Sequence, residues 1–478
     1  MARAQKSRSN SQSPKSAKPR SKSRAQRNNR AKLKPQDVKL ELQVVHPRAA
    51  GIDVGNEEHW VAVPPELDPQ HPVQSFGCFT QDLREMADWL VGLGIDTVAL
   101  QSTGVYWIGL HDILAQRGIR VFVVNAADTK NLPGRKTDIQ ECQWLLRLHT
   151  YGLLKNSFRP DEDTLVMRTF WRQRQQHIAD ASRCIQHMQK ALTQMNVQLA
   201  NAISDISGTT GQAIITAILG GERDCHKLAK LRDPRIKASE ETVARSLEGN
   251  WRPELLFVLR QEQDSYRGFQ KKIAECDRQL HEHYQKMQAK ADPQELPAVP
   301  RDKRAHGNIP ENFDLREELY RVTGVDLTAI DGINVLTAQT VLAEVGSDMS
   351  RFPTEAQFVS FLDLAPRNKI SGGKVVGREK RKTKNRAGLA LRFAAGTLLE
   401  SDTYLGAQYR RLRTKLGAPK ARKAMGNKLA RIVYRMLKYG EEYVDRGREF
   451  YEEKYRNLQI RMLVKKANAL GLQIVQPA

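Results

Sequence analysis

The sequence predicts an α/β domain with a mixed sheet, then a long helical segment, then a second, mostly helical domain. Three patterns lead to this prediction. Short apolar segments alternate with helical spacing over residues 44–158, an apolar repeat of seven follows Pro160, and residues 315–440 combine helical spacing with many cations. A chain of 478 residues is too long for one ordinary core, so two to four units are expected.

The first domain, over residues 44–158, is expected to hold five strands and three helices. The strands are predicted at Ala49–Val54, Trp60–Val63, Val73–Phe79, Thr97–Leu100 and Arg120–Val124. The helices are predicted at Leu83–Leu93, Ile108–Gln116 and Thr137–Leu148. Thr137 and Gln140 have capping-box spacing at the start of the last helix. Hairpin strands followed by alternating helix and strand match a ribonuclease-H-like, or RuvC-like, fold.

Residues 161–290 are predicted to form a helical or coiled-coil domain, because apolar residues recur there every seven positions. The first seam joins Ile178, Ile185, Leu192, Leu199 and Ile206 with a second row of Ala181, Met188, Met195 and Ala202. A later seam contains Leu259, Tyr266, Ile273, Leu280 and Met287. An antiparallel hairpin, an inter-subunit coiled coil and an ordinary helical bundle all agree with this pattern.

The rest of the chain is divided by composition. Residues 291–312 are rich in Pro and charge and are predicted to be a linker. Residues 315–440 form the second compact unit, and residues 441–478 form a C-terminal helix and tail. Ala329–Gly346 is similar to a helix-hairpin-helix, with a turn at Gly332 that would direct backbone amides at a phosphate and with Asn334 able to adopt the left-handed conformation. Simple packing of two short helices is the alternative.

The charge indicates a polyanionic partner. The net charge is +23, and residues 1–34 hold twelve Lys or Arg and no acid, so residues 1–40 are predicted to be a disordered basic arm. Nine cations lie in Arg367–Arg386 and eleven in Arg410–Lys438, where a single helix with one core face and one phosphate-binding face is expected. A solvated face is the alternative. The residues expected to bind nucleic acid are Arg367, Lys369, Lys374, Arg378, Lys380, Arg381, Lys382, Lys384, Arg386, Arg410, Arg411, Arg413 and Lys415.

Secreted and membrane proteins are not indicated. The basic N-terminus lacks the apolar stretch of a signal peptide, and the longest apolar runs are too short to span a bilayer. The five cysteines are scattered, without zinc-site or redox-motif spacing, which favours a reducing cytoplasm.

Four oxygen-bearing side chains are expected to converge. Asp53 ends the first strand, Gln101 follows the fourth, and Asp138 and Glu141 lie three apart at the start of the third helix. Such ligands suit Mg²⁺ or Mn²⁺ and the chemistry of phosphoryl transfer. Taken singly, Asp138 is also explained by the helix dipole and Glu141 by a solvated helix face.

Several motifs resemble the IS110/IS1111-type transposases over residues 45–440. GIDVGNEEHW at residues 51–60, ALQSTGVYW at Ala99–Trp107 and LPGRKTDIQECQWL at Leu132–Leu145 look like the N-terminal domain of that family. AIDGINVLTAQTVLAEVG at Ala329–Gly346 and FLDLAPRNKISGGKVVG at Phe361–Gly377 are similar to its second domain.

The resemblance implies roles for particular residues. The family's Asp, Glu, Asp and Asp match Asp53, Gln101, Asp138 and Glu141, so Gln101 is a departure for which a neighbouring acid such as Glu57 or Glu58 would compensate. The family's serine matches Ser371, in a turn whose glycines let the backbone approach a phosphate. The implied chemistry is metal activation of Ser371, a covalent 5′-phosphoserine link to DNA, and strand exchange.

The resemblance also implies partners. A structured bridge RNA would pair with target and donor DNA, and the protein would be a homo-oligomer, a dimer or a tetramer, in a bacterial cytoplasm close to the nucleoid. Two other hypotheses remain. One is a RuvC-like metal-dependent junction nuclease that uses water in place of Ser371, and the other is a non-catalytic nucleic-acid-binding scaffold, which Gln101 favours.

Overall fold

The computed structural model describes residues 43–126, 137–298, 307–366, 368–378 and 385–473. The chain divides into two compact units, Met1–Ser157 and Phe158–Ala478. The predicted basic arm, residues 1–40, lies outside the described residues. Among the helices that are described, none is both long and apolar enough to span a bilayer.

The first unit is built on a five-stranded mixed sheet, as predicted. Its strands are β1 (Ala49–Val54), β2 (Glu58–Ala62), β3 (Val73–Gly77), β4 (Thr97–Gln101) and β5 (Arg120–Val124). Their order is β3-β2-β1-β4-β5, with β1, β2 and β3 antiparallel and β1, β4 and β5 parallel. This mixed sheet fits the RuvC-like fold.

Three helices cover the sheet, and all three were predicted to within three residues. They are α1 (Thr80–Gly92), α2 (Trp107–Gln116) and α3 (Asp138–Thr150). Helices α1 and α2 share a core with Ile52 of β1 and Leu100 of β4. Helix α3 packs on the opposite face, where its Leu145 meets Ala99. The predicted N-cap is confirmed, because the Thr137 side chain accepts a hydrogen bond from the Gln140 amide.

The second unit begins with helices whose two longest members form an antiparallel pair. These helices are α4 (Glu162–Gln194), α5 (Leu199–Ala202), α6 (Thr209–Leu219), α7 (Cys225–Ala229), α8 (Glu240–Ser246) and α9 (Pro253–Lys286). Arg174 of α4 pairs with Asp277 of α9, and His187 contacts Glu262, so residue numbers rise along α4 as they fall along α9. The apolar repeats therefore meet within one chain.

The first predicted seam is wrong beyond α4. The helix ends at Gln194, and Asn196 follows with a φ of 59°, which stops the helical path. Leu199 and Ile206, the last two seam positions, lie beyond the end of α4 and pack with α6 and α8 in a core that also contains Leu192. Their seven-residue spacing reflects burial in this local core and not one continuous helix.

The described part of the predicted linker is attached to the fold. It contains a 3₁₀ helix at Pro293–Glu295. The amides of Lys290 and Ala291 donate to the Arg321 carbonyl, at 2.7 and 3.3 Å. Arg316 donates to the Pro297 carbonyl at 2.7 Å. Residues 299–306 lie outside the described part of the chain.

The remainder is mostly helical around a large apolar core. Its elements are α10 (Leu315–Thr323), a 3₁₀ helix (Leu327–Ala329), α11 (Val335–Val345), α12 (Glu355–Phe361), β6 (Asn368–Ser371), β7 (Lys374–Arg378), α13 (Arg386–Thr397), α14 (Tyr404–Leu416), α15 (Ala418–Tyr439) and α16 (Gly447–Ala469). Phe358, Leu391 and Tyr434 are among the fully buried side chains that join these helices.

Two local predictions are corrected here. The element before the Gly332 turn is a three-residue 3₁₀ helix, and Asn334 has a φ of −95° because it caps α11, accepting from the Thr337 amide. The helix predicted within Arg410–Lys438 is two helices, because Gly417, with a φ of 78°, separates α14 from α15.

Candidate functional site

Gly51 is the residue that allows helix α3 to lie directly on β1. A Cβ at this position would be 2.2 Å from the Leu146 amide nitrogen and 2.3 Å from the Cys142 carbonyl oxygen. Such distances are far below van der Waals contact, so any side chain would force strand and helix apart. The glycine thus fixes the height of α3 above the sheet.

The direction of α3 places its acidic first turn at the carboxyl ends of the parallel strands. At the far end of the helix, Thr97 Oγ1, at the start of β4, is 2.9 Å from His149 Nε2. The middle of the helix lies on Gly51, so α3 runs antiparallel to β1 and β4. Its N-terminus, with Asp138 and Glu141, therefore points toward the carboxyl ends of these two strands.

Asp53 and Gln101 occupy that same end and the same face of the sheet. Ile52 pairs with Leu100 in parallel register, so the next residue on each strand is Asp53 or Gln101. Side chains alternate along a strand, and Ile52 and Leu100 face α1 and α2, so Asp53 and Gln101 face α3. The fold thus gathers all four predicted residues at one edge.

The Cys142 thiol reports the field of these carboxylates. Burial, with smaller contributions from the negative charges of Asp53 and Asp138, raises the pKa of Cys142 to about 12. The thiol, which is buried beneath the first turn of α3, stays protonated at neutral pH. It is a poor nucleophile and a poor metal ligand in this state.

The donor chemistry of this edge suits a hard divalent cation, but the ligands are not gathered into a closed site. Three carboxylates and an amide oxygen are the ligand types that Mg²⁺ prefers. Within the described ranges, no three His, Cys, Asp or Glu side chains lie close enough together to hold one ion. The residue types therefore fit the metal, whereas the separations in this conformation do not.

A further acid, Glu58, lies at the same edge. Trp60 of β2 is the cross-strand partner of Asp53, and its Nε1 donates to Glu58 Oε1 at 3.0 Å. Glu58 and Trp60 are two apart on one strand, so both share the face of Asp53. The sequence named Glu58 only as a neighbouring acid, and the antiparallel register of β1 and β2 is what places it here.

Ser371 lies at the tip of an exposed two-stranded hairpin. It ends β6, pairs with Lys374 of β7 and is exposed. Gly372 and Gly373 form the turn with φ values of 56° and 77°. Two successive positive φ angles define the tight hairpin turn that favours glycine at both positions. The Ser-Gly-Gly sequence therefore sets the turn and leaves the hydroxyl accessible.

The predicted nucleic-acid-binding residues fall into three groups. Lys369, Lys374, Arg386, Arg413 and Lys415 are exposed. Two others, Arg410 and Arg411, contact other residues of the same chain.

Arg410 donates to the carbonyls of Leu399 and Ser401, at 3.1 and 2.6 Å, and Arg411 lies over the ring of Tyr455. Two cations of α15, Arg431 and Arg435, pair with Glu355 of the same chain. Outside the described residues lie Arg367, Lys380, Arg381, Lys382, Lys384 and the side chain of Arg378.

Family models match two segments of the chain. A family model for the DEDD transposase of IS110 matches residues 50–197, which include Asp53, Gln101, Asp138 and Glu141. A model described as the transposase IS116/IS110/IS902 family matches residues 326–410, which include Ser371. A search of curated proteins finds no match. The two models match in order along one sequence, and the chain belongs to the IS110 family of transposases, which cut and rearrange DNA.

Proposed function

We propose that this transposase exchanges DNA strands through a covalent 5′-phosphoserine at Ser371. The observation that carries the proposal is the exposed serine at the tip of a glycine turn, between two exposed lysines, Lys369 and Lys374. A hydroxyl without neighbouring bulk can approach a phosphodiester, and the lysines add positive charge where the phosphate would lie. The match of this region to the transposase family supports the proposal.

The covalent step is a balanced transesterification. Ser371 Oγ attacks phosphorus, its proton passes to a base, and the bond from phosphorus to the 3′ oxygen breaks. The 3′ oxygen leaves with a proton as a hydroxyl, and the 5′ phosphate remains esterified to the serine. A 3′ hydroxyl of another strand then attacks the phosphoserine and releases Ser371, so the number of phosphodiester bonds is conserved.

We propose that Asp53, Asp138 and Glu141, with Gln101 as a neutral fourth group, hold Mg²⁺ or Mn²⁺ for this reaction. When bound, the ion would stabilise charge that develops on phosphoryl oxygens and would ease deprotonation of a hydroxyl. The common edge of the sheet, where α3 lies directly on β1 at Gly51, supports this assignment.

A structured bridge RNA and a homo-oligomer belong to the same proposal. The net charge of +23 supports the binding of more than one nucleic acid strand, because each cation can neutralise a phosphate. The guide would pair with target and donor DNA, and the protein would contact the shape and backbone of the RNA. A dimer or a tetramer would bring together the strands that are exchanged.

The test is covalent capture. Purified protein, the candidate RNA and end-labelled DNA are incubated with Mg²⁺, quenched in detergent and examined for DNA that migrates with protein. We expect an adduct that Ser371→Ala, Asp53→Ala and EDTA each abolish. The matched control is Ser360→Ala, because Ser360 is also exposed but lies on helix α12.

Other outcomes would replace the proposal. Cut DNA without an adduct, together with full activity of Ser371→Ala, would indicate a junction nuclease that uses water. Bound but intact DNA in every reaction would favour the non-catalytic scaffold, which the neutral Gln101 and the open ligand arrangement also suggest.

A further inference from the structure

Phe393 is a large apolar side chain that is exposed to solvent on a helix whose other face is buried. It is 77% exposed, whereas Leu391, Ala394 and Ala395 of the same helix, α13, are at most 4% exposed. The orientation of α13 is fixed by this buried face, so Phe393 cannot reach the core without unpacking the helix. A single exposed phenylalanine is not by itself a site, and the residues around it decide what it contacts.

Cations lie on both sides of Phe393. Arg386 is seven residues earlier, on the same side of the helix and about 10 Å away along its axis. On the other side, Gly396 lies about 5 Å beyond Phe393 along the helix axis. Arg422 of α15 lies beside it, because a Cβ built on Gly396 would be 3.6 Å from Arg422 Nε. Both arginines come from segments without acids, because residues 386–397 and 403–440 contain no Asp or Glu.

Within the ranges that the structure describes, neither Arg386 nor Arg422 forms an ion pair. Arg413 and Lys415, in the last turn of α14, and Lys420, in the first turn of α15, are exposed and add further charge. An aromatic ring between two guanidinium groups is complementary to a nucleotide, which has a flat base between two phosphates.

We infer that Phe393 stacks on an unpaired base of a DNA strand whose flanking phosphates lie on Arg386 and Arg422. The inference rests on the proposed DNA chemistry and deepens it by naming where a separated strand binds. The base must be unpaired, because the face of a base is covered by its neighbours in a duplex and becomes accessible only when strands separate. Stacking on aromatics is tolerant of sequence, so the site would hold a strand without selecting its bases.

The test measures binding of the full chain to a labelled single-stranded oligothymidine by fluorescence anisotropy. EDTA is present, so no cutting occurs and the result is independent of Ser371. Replacing one aromatic residue that stacks on a base by alanine lowers the affinity roughly 5- to 150-fold. We expect Phe393→Ala to weaken binding in that range, Phe393→Leu to weaken it similarly, and Phe393→Trp to retain it.

The matched control is Phe79→Ala. Phe79 is also 77% exposed, but its amide donates to the carboxylate of Asp82, at the start of α1. We expect no change in affinity for this variant. Because both side chains are exposed, both variants should fold, and circular dichroism checks that they do.

Three results would overturn the inference. The first is an unchanged affinity of Phe393→Ala for the oligonucleotide. The second is full affinity of Phe393→Leu, which would indicate a contact that is apolar but not stacked. The third is a loss of affinity of Phe393→Ala for single-stranded RNA but not for single-stranded DNA. Ser371→Ala serves as the link to the proposed function: it should bind the oligonucleotide as the wild type does while forming no adduct. A failure of stacking and a failure of serine chemistry are thus distinguishable.

Discussion

Replacing Gly51 by alanine should displace the helix that carries two of the proposed metal ligands. The new Cβ would lie 2.2 to 2.9 Å from three backbone atoms of Cys142 and Leu146. Ordinary contacts between such atoms begin near 3.4 Å, so α3 must move by about 1 Å or distort. Forcing extra volume into a packed contact costs about 1–3 kcal/mol, and backbone atoms yield less easily than side chains.

The displacement should affect both stability and activity. We expect the Tm of the first unit to fall by about 2–4 °C per kcal/mol lost, measured by thermal unfolding of the full chain. Adduct formation with Mg²⁺ should fall by at least tenfold, because a shift of about 1 Å in ligand position is enough to impair catalysis.

The control for this variant lies in the same unit. Gly109 is inside helix α2, and a Cβ there would have no atom within 4 Å. Gly109→Ala should therefore leave activity unchanged and raise stability by about 0.5–1 kcal/mol. If Gly51→Ala matched the wild type in Tm and in adduct yield, the packing of α3 on β1 would not position the site as we argue.

Three further predictions concern stability. Burial, together with the charges of His46 and Arg120, lowers the pKa of His149 to about 4, so the free energy of unfolding should decrease by about 3 kcal/mol as the pH falls from 6.5 to 4 and the unfolded chain takes up the proton first. His149→Gln should flatten this pH dependence in urea titrations, and an equally steep dependence in the variant would contradict the assignment. Asp277→Ala leaves the buried Arg174 without its ion-pair partner and should lower the free energy of unfolding by about 3–5 kcal/mol. Replacing both residues by apolar ones should recover most of that loss, and a double variant as unstable as Asp277→Ala would refute this view. Gly332→Ala should lower the free energy of unfolding by about 1–3 kcal/mol, because the φ of Gly332 is 82° and a Cβ there would lie 2.8 Å from the Ala394 carbonyl oxygen. The control Gly268→Ala, in open space on α9, should not lower it, and equal effects of the two variants would show that the turn at Gly332 tolerates a side chain.

Much of the first unit could be predicted because its signals are local. Each strand is a short apolar segment bounded by turn residues, and the helix α3 has its own cap in Thr137. Such patterns depend on neighbours in sequence, so they survive without knowledge of the partner surface. The candidate metal ligands Asp53 and Gln101 were identified for the same reason, since both lie at strand ends.

Predictions that depended on long-range partners were less successful. The apolar spacing of Leu199 and Ile206 was assigned to one long helical seam, but the helix ends at Gln194 and both residues lie beyond it. The cations of Arg410–Lys438 were assigned to one surface, but Arg431 and Arg435 neutralise Glu355, which lies about 75 residues away in sequence. Periodicity identifies a buried or charged face but not the group that it meets.

The sequence by itself determined the chemistry that this transposase has available: the carboxylates, the serine between its glycine neighbours, and the excess of cations. These are properties of residue type and short spacing. Only the tertiary structure decided that α3 runs antiparallel to β1 and brings Asp138 and Glu141 to the edge of Asp53, that Gly51 must lack a side chain, and that Phe393 remains exposed between arginines. The physical reason is that burial, close approach and charge neutralisation are set by contacts between residues far apart in sequence, and such contacts exist only once the chain has folded.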